Sequence, residues 1–172
     1  MSTSDIRHRQ TYLPSLIDRL LDDAPHRQTE HPDAYAPNAE RMHRIIERDL
    51  SLLLNTTSLS DELDETRHTA VVSSVVNYGI APLSGSYLTN RSWENVEQMV
   101  RAAIRRFEPR LISDSMRIRP LDDKDPIRYN QLIFEIDGLM HWSPYPLEFR
   151  IQSAFDIETN EVTFDTDFRG EH

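Results

Sequence analysis

Carboxylates are the most plentiful reactive groups in this 172-residue chain, with 29 aspartates and glutamates against 19 lysines and arginines. A glycosidase needs two of them across a cleft, one kept protonated by its surroundings. Pairs can be drawn anywhere along the sequence, and no pair is marked by an apolar setting. Glu108, flanked by Phe107 and Pro109, is the best single candidate for an acid. Its neighbour Arg110 would favour the charged form and spoil that role if the two side chains met. Ser84-Gly85-Ser86 lacks the strand-to-helix elbow of a serine nucleophile, and four glycines leave little material for a phosphate-binding loop. Cysteine is absent, which excludes disulfides, thiol nucleophiles and thiolate metal sites. His26 and His31 lack the spacing of a metal site, His43 and His68 read as solvated or core histidines, and His141 beside Trp142 most simply closes a strand. The sequence therefore points away from an enzyme and asks for no cofactor or metal.

Two features suit contact with another protein. In Glu108-Pro109-Arg110 the proline fixes the geometry between an anion and a planar, five-donor cation, so the two can be presented to different groups. The plain alternative is a helix stop beside a surface ion pair worth 0 to about 1 kcal/mol. Nearer the start, Leu13, Leu16, Ile17, Leu20 and Leu21 fall on one face of a short helix, with Asp18, Arg19, Asp22 and Asp23 elsewhere. So short a helix is marginal alone and needs a surface. Packing on its own domain and docking into a partner's groove both satisfy it.

The charge balance narrows the partners. A formal net charge of −10 repels a phosphate backbone, and no basic run interleaved with aromatics offsets it, so nucleic acid is not expected. Residues 1–10 are polar and contain no signal-peptide core, and no apolar run approaches the roughly 18 residues of a membrane span. The expected location is the cytoplasm, without membrane insertion.

Helices come first and strands after. Ala24 to Asn38 holds three prolines and no periodicity, which reads as a linker. Met42, Ile45, Ile46, Leu50 and Leu53 then keep helical spacing behind Asn38 as cap, with Asp49 the one charge intruding on that face. Thr66 to Val76 reads as a further helix, with Val72, Val75 and Val76 on one face and Asn77-Tyr78-Gly79 as its stop. Behind Ser92 as cap, Trp93, Val96, Met99, Val100, Ala103, Ile104 and Phe107 mark a long helix that Pro109 ends. The period then falls to 2: a strand from Ile112 to Arg119, a second around Leu132 to Asp137, a third from Leu147 to Glu158, a turn at Thr159-Asn160, and a short fourth at Val162 to Phe164. The expected fold is α+β: N-terminal helices packed on one face of a C-terminal antiparallel sheet, a meander of three to four strands. The expected organisation is an arm over 1–38 and one α+β domain over 39–168.

Asn77-Tyr78-Gly79, the Ser92 to Phe107 helix, Glu108-Pro109-Arg110 directly after it and the alternating strands together resemble the baseplate wedge family of contractile injection machines. The opening Leu13-Pro14-Ser15-Leu16-Ile17-Asp18-Arg19-Leu20 resembles its bacterial branch, the TssE baseplate subunits of type VI secretion. Where that family follows Asn-Tyr-Gly with an apolar residue and Pro-Asp, this chain has Ile80-Ala81-Pro82-Leu83. The resemblance implies a structural part joining wedge subunits (TssF, TssG, TssK) to the contractile sheath (TssB, TssC) at the cytoplasmic face of the envelope. It also implies partner contact at Glu108, Pro109 and Arg110, to which the arm face of Leu13, Leu16, Ile17 and Leu20 adds a second surface. The fold would resemble the sheath proteins' interlocking domain, so an edge strand near Val162 to Asp165 or along Ile112 to Arg119 could exchange strands with the sheath. Some family members carry a lysozyme label, which makes a peptidoglycan muramidase the rival from another class. A general cytoplasmic adaptor is the third reading. The absence of a signal segment and of an acid and nucleophile pair argues against the muramidase.

Overall fold

Two amphipathic helices form one layer of the core, and a sheet whose side chains alternate in and out forms the other. The computed structural model describes residues 15–20, 25–26, 38–60, 62–64, 66–72, 74–81, 93–121, 127–128, 131–156, 158–159 and 161–165. Among the described residues four α-helices precede the strands: α1 (Leu16–Leu20), α2 (Ala39–Leu54), α3 (Thr69–Val72) and α4 (Trp93–Phe107). Helix α2 starts where the Asn38 side chain accepts from the Arg41 amide at 2.8 Å, the expected cap. It buries Met42, Ile45, Ile46, Leu50, Leu53 and Leu54, and α4 buries Val96, Val100, Ala103 and Ile104.

The strands are β1 (Arg117–Pro120), β2 (Ile127–Arg128), β3 (Gln131–Met140), β4 (Leu147–Asp156) and β5 (Glu161–Asp165). All pairings are antiparallel, in the order β1-β3-β4-β5, and β2 pairs with β3 in line with β1. Leu132, Phe134, Ile136, Phe149, Ile151, Phe155 and Val162 are buried on the face the helices cover. α2 lies over β4 and β5, and α4 over β1. On the other face charges face one another across strands: Arg119 meets Glu135 at 2.7 Å, and Arg150 stands 4.0 Å from the same carboxylate. The fold is the expected α+β meander. Its β4–β5 turn is set by Asp156, whose carboxylate accepts from the amides of Glu158 (2.8 Å) and Thr159 (3.1 Å).

Three elements differ from the expectation. The helix expected from Thr66 to Val76 shrinks to α3 and a separate 3₁₀ turn at Val75–Asn77. Val75 and Val76 are 79% and 76% exposed, so their spacing marks no buried face. Ser74 divides the two pieces, donating its hydroxyl to Val71 O at 2.9 Å and accepting from the Val76 amide at 3.3 Å. The strand expected from Ile112 to Arg119 is interrupted by a 3₁₀ turn at Ser113–Ser115. There the Ser115 hydroxyl accepts from the Leu139 amide at 2.9 Å, satisfying a group that the bulging chain would leave unpaired. Gly138 lies beneath the bulge: a Cβ there would come 3.2 Å from Met116 Cα and 3.3 Å from Ser115 Oγ. β2, only Ile127–Arg128, was too short to show a period. Ser92, Ser84-Gly85-Ser86, Pro82-Leu83, His31, Leu21 and Asn160 lie outside the described residues.

Candidate functional site

Proline at 109 cannot continue α4, so the chain turns at the helix end and folds Arg110 back on Glu108. Arg110 Nε donates to Glu108 Oε1 at 2.6 Å, the Arg110 amide donates to the same oxygen at 3.2 Å, and Arg110 Nη2 takes Oε2. Glu108 is 3% exposed. Arg110 is pinned at the other end as well, its carbonyl accepting from the His141 amide at 2.8 Å just past β3. The two charges of Glu108-Pro109-Arg110 are thus turned on each other. Both Glu108 oxygens are held by one guanidinium in a buried position.

The guanidinium has a second anion. Arg110 Nη2 also donates to Asp49 Oδ2 at 2.6 Å, from α2. Burial alone would push Arg110 down, but Glu108 and Asp49 outweigh it and hold its affinity for a proton above the ordinary value. Asp49 is the charge that intrudes on the apolar stripe of α2, and its other oxygen accepts from Arg48 Nε at 3.0 Å and Nη2 at 2.6 Å. Arg48 then forks to Asp18 of α1, through Nη1 to Oδ1 and Nη2 to Oδ2, the latter at 3.1 Å. Asp18 closes the run by accepting from the Ser15 hydroxyl at 2.6 Å, while Ser15 Oγ accepts from the Asp18 amide at 3.3 Å at the start of α1. The Arg48 hydrogen bond is the main reason the Asp18 carboxyl falls to about 2.

Asn77-Tyr78-Gly79 meets the same seam. The Tyr78 ring lies edge-on to Phe107 at 5.1 Å, and its hydroxyl is 3.4 Å from the Asp49 carbonyl. Burial, then the charges of Asp49 and Glu108, push the Tyr78 phenol up. Asn77, 1% exposed, accepts from the Leu59 amide at 2.8 Å and donates to Ser60 Oγ at 2.9 Å and Val72 O at 3.2 Å. Gly79 has φ +117°, and a Cβ there would sit 2.1 Å from Thr56 O, so only glycine lets the loop after α2 pass this close. The bridge Thr57↔Ile80 fixes that crossing.

Among the site residues expected from the sequence, Glu108, Pro109 and Arg110 sit at the seam, with Pro109 exposed and Arg110 half-buried. Leu16, Ile17 and Leu20 are 68%, 69% and 75% exposed, and Leu13 lies outside the described residues. α1 touches the domain with its polar side, through Asp18, and turns its leucines outward. Arg48 and Asp49, which join the two expected surfaces, were not among the expected site residues. A charge inside an apolar stripe was the available signal for Asp49. Among the described residues no group of His, Asp or Glu is placed to hold a metal, and no helix is long and apolar enough to cross a membrane.

A family model described as Baseplate wedge protein gp25 matches residues 40–145. That span takes in Asp49, Asn77-Tyr78-Gly79 and Glu108-Pro109-Arg110. No curated protein and no solved structure matches the chain.

Proposed function

The chain belongs to the baseplate wedge protein gp25 family, and from that membership we propose that it is a structural component of the type VI secretion baseplate. In this reading it joins the wedge subunits TssF, TssG and TssK to the sheath proteins TssB and TssC, and supports sheath assembly at the cytoplasmic face of the envelope. The observation that carries it is the convergence of Glu108-Pro109-Arg110, Asn77-Tyr78 and Asp49 in one seam that ties α2, α4 and the end of β3 together. Such a seam makes a rigid frame, which is what a connector between larger assemblies needs.

Two surfaces of that frame serve as contacts. The exposed Leu16, Ile17 and Leu20 face, held outward by the Asp18–Arg48 fork, enters an apolar groove of a wedge subunit. The half-buried Arg110 and exposed Pro109 form the second, where a partner carboxylate adds to the existing pair. The sheet edge meets the sheath. The reading contains no catalytic step.

Co-purification of the chain with co-expressed wedge and sheath proteins tests it. Capture of TssF, TssG and TssK, lost when Leu16, Ile17 and Leu20 become serine in a chain that still melts normally, is the expected result. Hydrolysis of purified peptidoglycan that disappears in Glu108→Gln would overturn it in favour of a muramidase.

A further inference from the structure

Among the described residues β5 has a strand on one side only. In an antiparallel ladder alternate residues turn their N–H and C=O to opposite sides, and at Val162 both groups point away from β4. They are not left open. The Val162 amide donates to Asn55 Oδ1 at 2.7 Å, and Asn55 Nδ2 donates to Val162 O at 2.8 Å. One carboxamide thereby makes the paired donor and acceptor contact that a residue of a neighbouring strand would make.

Beyond Val162, the Asn55 side chain makes a long contact, Nδ2 to Ser51 Oγ at 3.5 Å within its own helix end. Asn55 follows the last residue of α2, and its backbone amide donates to Ser51 O at 3.1 Å, so the helix end is closed by its main chain. Its side chain can rotate off Val162 without unwinding a turn. The flanking chain also sets what could take its place. Val162 is buried and Phe164 half-buried on the inner side, whereas Glu161 and Thr163 are exposed on the outer side. An added strand therefore meets apolar neighbours on one face and an acidic one on the other. A second copy's β5 would bring Glu161 and Thr163 again, with no cation among them.

We infer that Asn55 is a displaceable plug on the β5 edge, and that the segment which replaces it is an extended stretch of another protein in which apolar residues alternate with lysine or arginine. This rests on the reading that a sheet edge docks the sheath, and it names the edge, the gate and the residue pattern. The probe is a short peptide of alternating lysine and valine, titrated into the full chain and followed by the amide resonance of Val162 and the side-chain NH₂ resonances of Asn55. Displacement moves both. In Asn55→Ala the edge is already open, and the peptide binds on the order of tenfold more tightly, because two hydrogen bonds no longer have to be given up first. Asn55→Asp keeps the acceptor for the Val162 amide and loses the donor, and it falls between the two. Equal or weaker binding in Asn55→Ala, or a Val162 amide that does not move, overturns the inference. So does equal binding of a peptide alternating glutamate and valine. Plug behaviour that persists in a chain failing to capture TssB and TssC would remove the sheath reading alone, while sheath capture without plug behaviour would remove the plug.

Discussion

Deleting the Arg110 side chain strands Glu108, 3% exposed, without the cation that holds both its oxygens, and leaves Asp49 with Arg48 alone. Breaking one side of a buried pair costs several kcal/mol, and the half-buried position of Arg110 places the loss near the low end of that range. Arg110→Ala should lower the unfolding free energy by about 3 kcal/mol in urea titration. The double variant Glu108→Gln, Arg110→Met should recover part of it, since the two effects are not independent. A loss within about 0.5 kcal/mol, as for ordinary surface positions, would show that the seam adds nothing to the fold. Gly79→Ala meets a different obstacle, a backbone oxygen 2.1 Å from the new Cβ and a positive φ, and should cost at least about 2 kcal/mol by the same titration. The sequence showed that Asp49 was misplaced on an apolar stripe. Its partner was hidden, because Arg110 lies 61 residues away and spacing reports only neighbours along one element.

At the scale of elements, periodicity found what burial had shaped. α2, α4, β3, β4 and β5 were legible because one face of each is covered. The valines of the 66–76 segment misled for the opposite reason: apolar spacing stands there without a surface above it, and Asn77 anchors the segment in their stead. The strand after Pro109 was legible in its second half only, since a hydroxyl from Ser115 replaces part of the ladder and no alternation records that. Among the described residues α1 is tied to α2 by the Asp18–Arg48 ion pair, and a pH dependence follows from it. Asp18 titrates at about 2 in the folded chain against an ordinary 3.8, so its contribution is present above about pH 4 and is lost as the pH falls through 2. Hydrogen exchange of residues 15–20 should therefore quicken between these two values. Asp18→Asn should quicken it at neutral pH and remove the dependence, with little change in the melting temperature, because Arg48 is 44% exposed and such pairs add at most about 1 kcal/mol. Exchange that follows the core at every pH would show that α1 is held by something else.

For the whole molecule, deletion of residues 1–24 should leave a cooperatively folding chain, because among the described residues the hydrophobic core runs from Met42 to Val162 and α1 reaches the domain through Asp18. Thermal melting would shift by no more than about 4 °C, while wedge capture should fall. A collapse of the transition would instead make the arm part of the core. The fold class was readable because helices preceded strands in the chain and the apolar period changed once. The seam was not, since it is assembled from α1, α2, the 77–79 turn and the end of α4, which no single window of sequence contains. The bulge over Gly138 leaves the sheet with two unlike borders, one stepped by the Ser113–Ser115 turn and shared by two short strands, the other straight and covered at Val162. If strand pairing adds material at the straight border, as inferred for β5, growth runs in one direction from this body, which would then start a polymer and not repeat within it.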